Sequence, residues 1–335
     1  MALTLRWDDG VHIAYNGDFI FFDLNRNNHS ASKVFISHAH LDHSRAFSFN
    51  TIQKYSTPET YEVLQALGKN SQKWISVNIN QRIKVGDLDV TPRNSGHVLG
   101  SALFEVSSPE ATVVYTGDLN FEDTYTMRAA EPVPCDVLII EATFGSPSFI
   151  FPPKRDLAVE MSNWAAKMAL NHKIPVFKTD PLGNAQEIIY ILNKFTDLTV
   201  ISHWKVSRIN RVYEANGYRL EYLDSKSEEA KEVMSSDGYV YVIPKGTRLP
   251  NDSRFSVALV SGWALWNRRE EYSFAYSDHA DYLHLLNFVE ECSPNLVLTC
   301  FGKRFDEILA KEIRKKLHIE AYPLNLIPTK YVGGK

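Results

Sequence analysis

Ser37-His38-Ala39-His40-Leu41-Asp42-His43 sets three imidazoles and a carboxylate within six consecutive positions, directly behind the apolar run Lys33-Val34-Phe35-Ile36. That run is rich in β-branched and aromatic side chains and too short for a helix, so it predicts a buried strand. A loop leaving such a strand aims His38 and His40 at one point and Asp42 and His43 at a neighbouring one. Imidazole suits zinc and related ions, and a carboxylate adds the negative charge that lets two cations sit close together. The plain alternative is a polar loop that happens to be rich in histidine. The chain holds only eleven histidines, however, and HxHxDH behind an apolar strand reads as a metal-binding loop.

Two further segments extend this reading. Asn94-Ser95-Gly96-His97-Val98-Leu99-Gly100-Ser101 carries a histidine between glycines, and Val113-Val114-Tyr115-Thr116-Gly117-Asp118 ends an apolar strand on an aspartate. Taken singly, His97 reads as a satisfied loop histidine and Asp118 as a turn cap. Together with HxHxDH, each at a predicted strand end, they read as ligands.

The rest of the chain sets bounds on the function. With 335 residues, 44% hydrophobic and 23% charged, it has the composition of a soluble globular protein long enough for two domains. No apolar run approaches the roughly 18 residues of a membrane span, and the first residues lack the pattern of a signal peptide. Cys135, Cys292 and Cys300 are scattered without CxxC spacing, which argues against a disulfide framework and for the cytoplasm. A formal charge of −4 argues against a protein that coats polyanions in general, while leaving room for a local basic groove.

The first 145 or so residues read mainly as short strands. Asn16-Gly17 and Gly86-Asp87 mark hairpin turns, and Thr57-Pro58 marks a helix start, Thr as cap and Pro in the first helical position. After Pro147 strands alternate with helical segments as in βαβ units, with helices expected at 186–193 and 206–215. From Val257 the β-rich style returns, and a basic helix is expected at 311–316. These textures predict an α/β chain with residues 1–150 as the first part of one domain, 151–253 as an inserted domain, and 254–335 as the second part of the first.

With these motifs in hand, the chain resembles a metallo-β-lactamase-fold hydrolase: an αββα sandwich in which the HxHxDH loop, a later histidine and a later aspartate bind two zinc ions. The resemblance implies His38, His40 and His97 as holders of the first metal, Asp42 and His43 as the start of the second site, and Asp118 as the bridge. It matches Asp23 to an aspartate that orients a ligand histidine from behind.

Three more motifs resemble the β-CASP nucleases within that fold. Asp136-Val137-Leu138-Ile139-Ile140-Glu141-Ala142-Thr143 resembles the first β-CASP strand, with Glu141 as its acid. Tyr276-Ser277-Asp278-His279-Ala280-Asp281 resembles the second, with His279 as its histidine. Pro181-Leu182-Gly183-Asn184-Ala185-Gln186-Glu187 resembles the GRAQE turn. The run Glu131-Pro132-Val133-Pro134-Cys135-Asp136 and the pairing of Ser261-Gly262-Trp263 with Ser277-Asp278-His279 point to the compact ligase-associated exonuclease type, which is also similar to mRNA 3′-end processing factors.

By the family pattern Asp42, Glu141 and His279 are catalytic, His279 donating a proton to the leaving oxygen and Glu141 orienting it. Gly183, Asn184 and Ser277 are the candidate phosphate contacts.

Two departures stand out. The third β-CASP motif has a histidine where this chain has Phe301, so the second ion is expected to be looser, with Mn2+ or Mg2+ as alternatives to zinc. Cys300 offers either a thiolate ligand or, as strand cysteines more often do, a buried apolar group. The DNA-cutting branch also lacks that histidine, which favours DNA over RNA. Asn184 stands where GRAQE has arginine, leaving Lys178 and Lys205 as candidate substitutes.

The resulting expectation is an exonuclease on single-stranded DNA ends in repair, with ligase or helicase machinery as candidate partners. The alternatives are an RNA-processing nuclease, a small-molecule metallo-hydrolase and a non-catalytic binding module. Basic candidates for the strand are Lys205, Arg208, Arg211, Arg268, Arg269, Lys303 and Arg304, with Trp263 and Trp266 for stacking. His12 and His203 lack a motif and read as structural.

Overall fold

The computed structural model describes residues 3–27, 31–266, 270–327 and 329–332. Two compact units emerge: Met1–Asp123, Arg128–Ile150 and His279–Lys335 form the first, and Thr124–Met127 with Phe151–Asp278 the second. Among the described residues, no helix is long and apolar enough to cross a membrane.

The first unit is built on two seven-stranded sheets. One runs, in spatial order, Lys330–Val332, Leu3–Trp7, Val11–Tyr15, Asp18–Phe22, Lys33–Phe35, Gln53–Ser56 and Trp74–Ser76. The other runs Glu320–Pro323, Leu296–Cys300, Val137–Glu141, Thr112–Tyr115, Ala102–Ser107, Leu88–Asn94 and Ile83–Val85. Alternate residues of both sheets share one core: Leu5, Ile13, Phe22 and Phe35 meet Val90, Phe104, Tyr115, Ile139 and Leu298. This is sheet-on-sheet packing, in which the pleat sends every second side chain inward. The helix Arg304–Lys316 packs on Leu296–Cys300 and Glu320–Pro323, giving the α/β sandwich its outer layer.

Local chemistry explains the elements. Asn16 and Gly17 both take positive φ, at 53° and 89°, as a tight hairpin between right-twisted strands requires. The Thr57 side chain accepts the Thr60 amide at 3.2 Å, and Pro58 opens the helix Pro58–Ala66. The expected helices at 186–193, 206–215 and 311–316 appear as Asn184–Phe195, Trp204–Ala215 and Arg304–Lys316.

The second unit holds a six-stranded, all-parallel sheet in the order Leu223–Asp224, Thr199–Ser202, Tyr239–Pro244, Ile174–Thr179, Phe255–Val260, Tyr272–Phe274. Here the expected boundary at 253 is corrected to 278. Phe255–Val260 pairs in parallel with Ile174–Thr179, Ile174 opposite Phe255 through Lys178 opposite Leu259, and so belongs to the inserted sheet.

Glu187 pins this unit internally. Its buried carboxylate accepts Thr124 Oγ1 at 2.7 Å, the Tyr125 and Thr126 amides at 3.1 and 2.7 Å, Thr126 Oγ1, and Tyr276 Oη at 2.6 Å. An amide in its place turns an NH2 toward these donors and strands at least one of them. Glu187→Gln is therefore expected to destabilise the second unit by about 2–4 kcal/mol. Denaturant unfolding followed by tryptophan fluorescence measures this; a change below about 0.5 kcal/mol, the level of an ordinary surface substitution, contradicts the pin.

Candidate metal centre

The site assembles at the carboxyl ends of strands. Asp23 follows Asp18–Phe22, His38 follows Lys33–Phe35, His97 follows Leu88–Asn94, and Asp118 follows Thr112–Tyr115. Glu141 ends Val137–Glu141, and Phe301 follows Leu296–Cys300. Loops at such an edge bring residues distant in sequence to one place, which is where open α/β sheets bind ligands.

Asp23 is the fixed point beneath the site. It is fully buried and takes φ 49°, a left-handed turn at which aspartate is tolerated. Its Oδ1 accepts the Ser37 amide at 2.8 Å, and its Oδ2 accepts Ser37 Oγ at 2.6 Å, Tyr115 Oη at 2.7 Å and His43 Nδ1 at 2.7 Å. His43 thereby donates from Nδ1, so that Nε2 is the nitrogen left facing Asp118 and the one that would serve a cation. Ser37 Oγ lies 2.9 Å from His38 Nδ1 and fixes that ring in the same sense. Space for Ser37 depends on Gly117, at φ +54°, where a Cβ would stand 2.6 Å from Ser37 Cβ.

Above this base His38, His40, His97 and Asp118 offer four ligand atoms that all lie within 4.8 Å of one another. His40 Nδ1 lies 3.1 Å from His38 Nε2 and 3.0 Å from His97 Nε2. Asp118 Oδ2 lies 3.4 Å from His38 Nε2 and 3.7 Å from His97 Nε2. Nitrogens at 2.0–2.1 Å from a tetrahedral zinc stand about 3.4 Å apart, so the donor set and its spacing fit such a cation.

Asp118 faces two ways. Its Oδ1 is buried without a hydrogen-bond partner, 3.3 Å from His43 Nε2. Asp42 Oδ2 stands 3.9 Å from the same nitrogen on a side chain that is 72% exposed, so Asp42 extends this second donor group toward solvent.

Electrostatics among the protein groups alone follow from this crowding. Burial holds the His38 imidazole well below its ordinary value, and the neighbouring histidines add to the effect. Burial likewise pushes the Asp118 carboxyl up to about 7, Glu141 adding to it while His43 and His279 oppose it. For His43 burial favours the neutral ring, but Asp118 and Asp23 outweigh it and raise the imidazolium to about 10. Burial resists ionisation of Asp42, yet His43 and His40 keep that carboxyl below its ordinary range. A pocket whose buried acid and base groups are displaced so far in opposite directions is a functional candidate.

Glu141 and His279 stand beside the cluster. His279 Nδ1 lies 3.1 Å from both Glu141 oxygens, and Glu141 Oε1 also accepts the Leu119 amide at 2.7 Å. Burial opposes the Glu141 charge, but His279 and the hydrogen bonds from Thr143 and Leu119 prevail, keeping it below the usual carboxylate range. His279 Nε2 points inward, 3.8 Å from Asp118 Oδ2, and the ring packs 4.4 Å from that of His97.

Phe301 occupies the edge next to His43. Its ring stacks on the imidazole at 4.3 Å and 26°, and it meets Trp7 edge-on at 5.2 Å. The residue sits at φ 61°, a strained conformation for an aromatic. Cys300 is buried, and its thiol donates to Ile140 O at 3.6 Å. Burial pushes it well above its ordinary value, and it packs in the core that the two sheets share.

The inserted-domain candidates are placed as follows. Gly183, Asn184 and Ser277 are all buried, and the Gly183 amide is taken by Gln186 Oε1 at 2.8 Å. Lys178 is bound to Glu270 at 3.0 Å, and Arg211 to Asp224 at 2.7 Å. Arg268 and Arg269 lie outside the described residues. Trp263 and Trp266 are 38% and 46% exposed. Sequence reasoning missed Ser37 and Tyr115 as props of Asp23; both sit inside quoted motifs, but only the fold shows the hydrogen bonds that give them this role.

Residues 21–176 match the family described as Beta-lactamase superfamily domain. A protein of Opitutus terrae named "Probable DNA ligase" is 27% identical over 302 residues, which cover 85% of this chain and 28% of that protein. "Cleavage and polyadenylation specificity factor subunit 3" of Dictyostelium discoideum is 29% identical over 228 residues, covering 57% of this chain and 29% of its own length. The chain therefore spans less than a third of either relative. A crystal structure of an Enterococcus faecalis protein of unknown function matches the fold with a TM-score of 0.72 at 15% identity, over 99% of this chain and 100% of that one.

Proposed function

We propose that this chain, whose residues 21–176 match a beta-lactamase superfamily domain, is a metal-dependent phosphodiesterase of the β-CASP nuclease kind that trims single-stranded nucleic-acid ends. The observation that carries the reading is the Glu141–His279 pair set against the His38, His40, His97 and Asp118 cluster. It is an acid–base couple aimed at a cation cage.

Zinc is the metal these three imidazoles and one carboxylate suit best. Asp118, His43 and Asp42 would hold a second and weaker ion, with Mn2+ and Mg2+ as alternatives at that oxygen-rich position. A bound divalent cation supplies Lewis acidity and a water acidic enough to attack phosphorus at neutral pH. The chain itself orients and moves protons. Asp23 and Ser37 hold the tautomers of His43 and His38, and Glu141 holds Nδ1 of His279. The departing sugar oxygen then receives its proton from Nε2 of His279.

Single-stranded DNA ends are the first substrate reading. Phe301 in place of the third-motif histidine supports it, as does the relative named as a DNA ligase, which aligns with most of the chain. RNA end processing is the second reading, supported by the relative named for cleavage and polyadenylation. A small-molecule hydrolase fits less well, because it has no use for the six-stranded insertion. Matched DNA and RNA oligomers, with and without a 5′-phosphate, separate these readings. Cleavage of DNA alone supports the first and cleavage of RNA alone the second, while cleavage of neither, with turnover of small esters or thioesters, rejects both.

Phe301→His replaces a ring without donors by an imidazole next to His43. The expected result is a rise in bound metal from near one to near two equivalents per chain, read by equilibrium dialysis and elemental analysis. Unchanged stoichiometry rejects Phe301 as the cause of a weak second site.

A further inference from the structure

Trp204 opens the helix Trp204–Ala215 just beyond the carboxyl end of Thr199–Ser202, at the edge of the inserted parallel sheet. Lys226 Nζ lies 4.2 Å from the centroid of its indole and Lys205 Nζ 5.5 Å. The His203 ring is 5.6 Å away, tilted by 34°. Both lysines are exposed and Trp204 is half-buried.

The backbone under this cluster is tied down. The Trp204 amide donates to Ser225 Oγ at 3.1 Å, the Lys205 amide to His203 Nδ1 at 3.3 Å and the Lys226 amide to Asp224 Oδ1 at 3.0 Å. The Asp224 carboxylate is engaged by Arg211 at 2.7 Å, and among the described residues neither lysine ammonium forms an ion pair. The surface thus presents an indole beside two ammonium groups that, among the described residues, form no ion pair. Burial, with Lys205 and Lys226 contributing and Asp224 opposing, lowers the His203 imidazole below its ordinary value.

We propose that Trp204, Lys205 and Lys226 form a docking site for single-stranded nucleic acid on the second unit, in addition to the metal centre. A nucleotide carries a planar π-face beside an anion, and this cluster offers the complement of both. A phosphate draws a lysine off the half-buried indole, and a base stacks on the face it uncovers. The exchange replaces a weak cation–π contact by a base–aromatic stack. The position agrees with the tendency of open parallel sheets to bind ligands outside the carboxyl ends of their strands. The proposal rests on the nuclease reading and extends it to a site for bases upstream or downstream of the cut.

The test uses the full chain, long oligo(dT) and oligo(rU) strands with phosphorothioate linkages that resist cleavage, and a mononucleotide p-nitrophenyl ester that has no second nucleotide to reach the patch. Trp204→Ala is expected to weaken binding of the long strand by about 5- to 150-fold, the contribution of one stacked base, with Trp204→Phe retaining most of the affinity. The double variant Lys205→Glu, Lys226→Glu changes only exposed side chains and cannot be dismissed as misfolded. It is expected to weaken binding and to lower the slope of log affinity against log salt by about 1.4, two phosphate contacts at about 0.7 each. Turnover of the ester should stay at the wild-type level in Trp204→Ala, in Trp204→Phe and in the single variant Lys226→Glu. Long-strand affinity within twofold of wild type in both variants overturns the proposal, while ester turnover by the same preparations leaves the nuclease reading standing. A wild-type chain that neither binds the strands nor cuts the ester overturns both.

Discussion

His279→Ala is expected to lower turnover on an oligonucleotide by about 10²- to 10⁴-fold, the usual worth of a positioned general acid, with the first metal still bound. The physical reason is the leaving group. A sugar alkoxide is strongly basic and departs only with a proton, and His279 Nε2 is aimed at the cluster while Glu141 occupies Nδ1 at 3.1 Å. A p-nitrophenolate leaves without protonation, so the same variant should lose far less activity on a p-nitrophenyl ester of a nucleotide. That difference separates proton donation from a structural role, because a variant that had merely disturbed the fold would lose both activities together. Glu141→Gln should follow the same pattern more mildly, since the amide still orients the ring but no longer favours its charged form. A His279→Ala chain that cuts oligonucleotides at the wild-type rate contradicts the assignment.

Asp118→Ala carries the second large effect. This side chain directs Oδ2 toward His38 and His97 and Oδ1 toward His43, so its loss takes a donor from both groups at once. Metal content should fall below the near one equivalent expected of the wild-type chain, and oligonucleotide turnover should fall by about 10³-fold or more, since removing even the supporting partners of metal ligands costs 10- to 100-fold. The p-nitrophenyl ester should offer no rescue, in contrast to His279→Ala, because the attacking side of the reaction is lost as well. Full activity at wild-type metal content contradicts the bridging role.

The His38, His40, His97 and Asp118 cluster was legible because it is written in contiguous motifs at strand ends. HxHxDH, His97 and Asp118 each follow an apolar run that reads as a strand, and parallel strands deliver their following loops to one edge. Asp23, Glu141 and His279 were placed by resemblance, and their hydrogen bonds to His43 and to each other are what that resemblance implies. The domain boundary was less legible. Phe255–Val260 alternates buried and half-buried residues much as a strand of the first unit would, and only its pairing with Ile174–Thr179 decides its sheet. Contacts between side chains remote in sequence were not legible at all. Glu187 closes the quoted GRAQE-like turn, but its role as a pin shows only when Thr124, Thr126 and Tyr276 are seen to converge on it. Trp204 reads as a helix residue until Lys226, 22 positions on, is found over its ring.

The central claim is met most directly by zinc anomalous scattering from crystals of the chain grown with the metal. A peak enclosed by His38 Nε2, His40 Nδ1, His97 Nε2 and Asp118 Oδ2 is the predicted result. Zinc bound elsewhere, with those four atoms engaged only by protein or water, would contradict it.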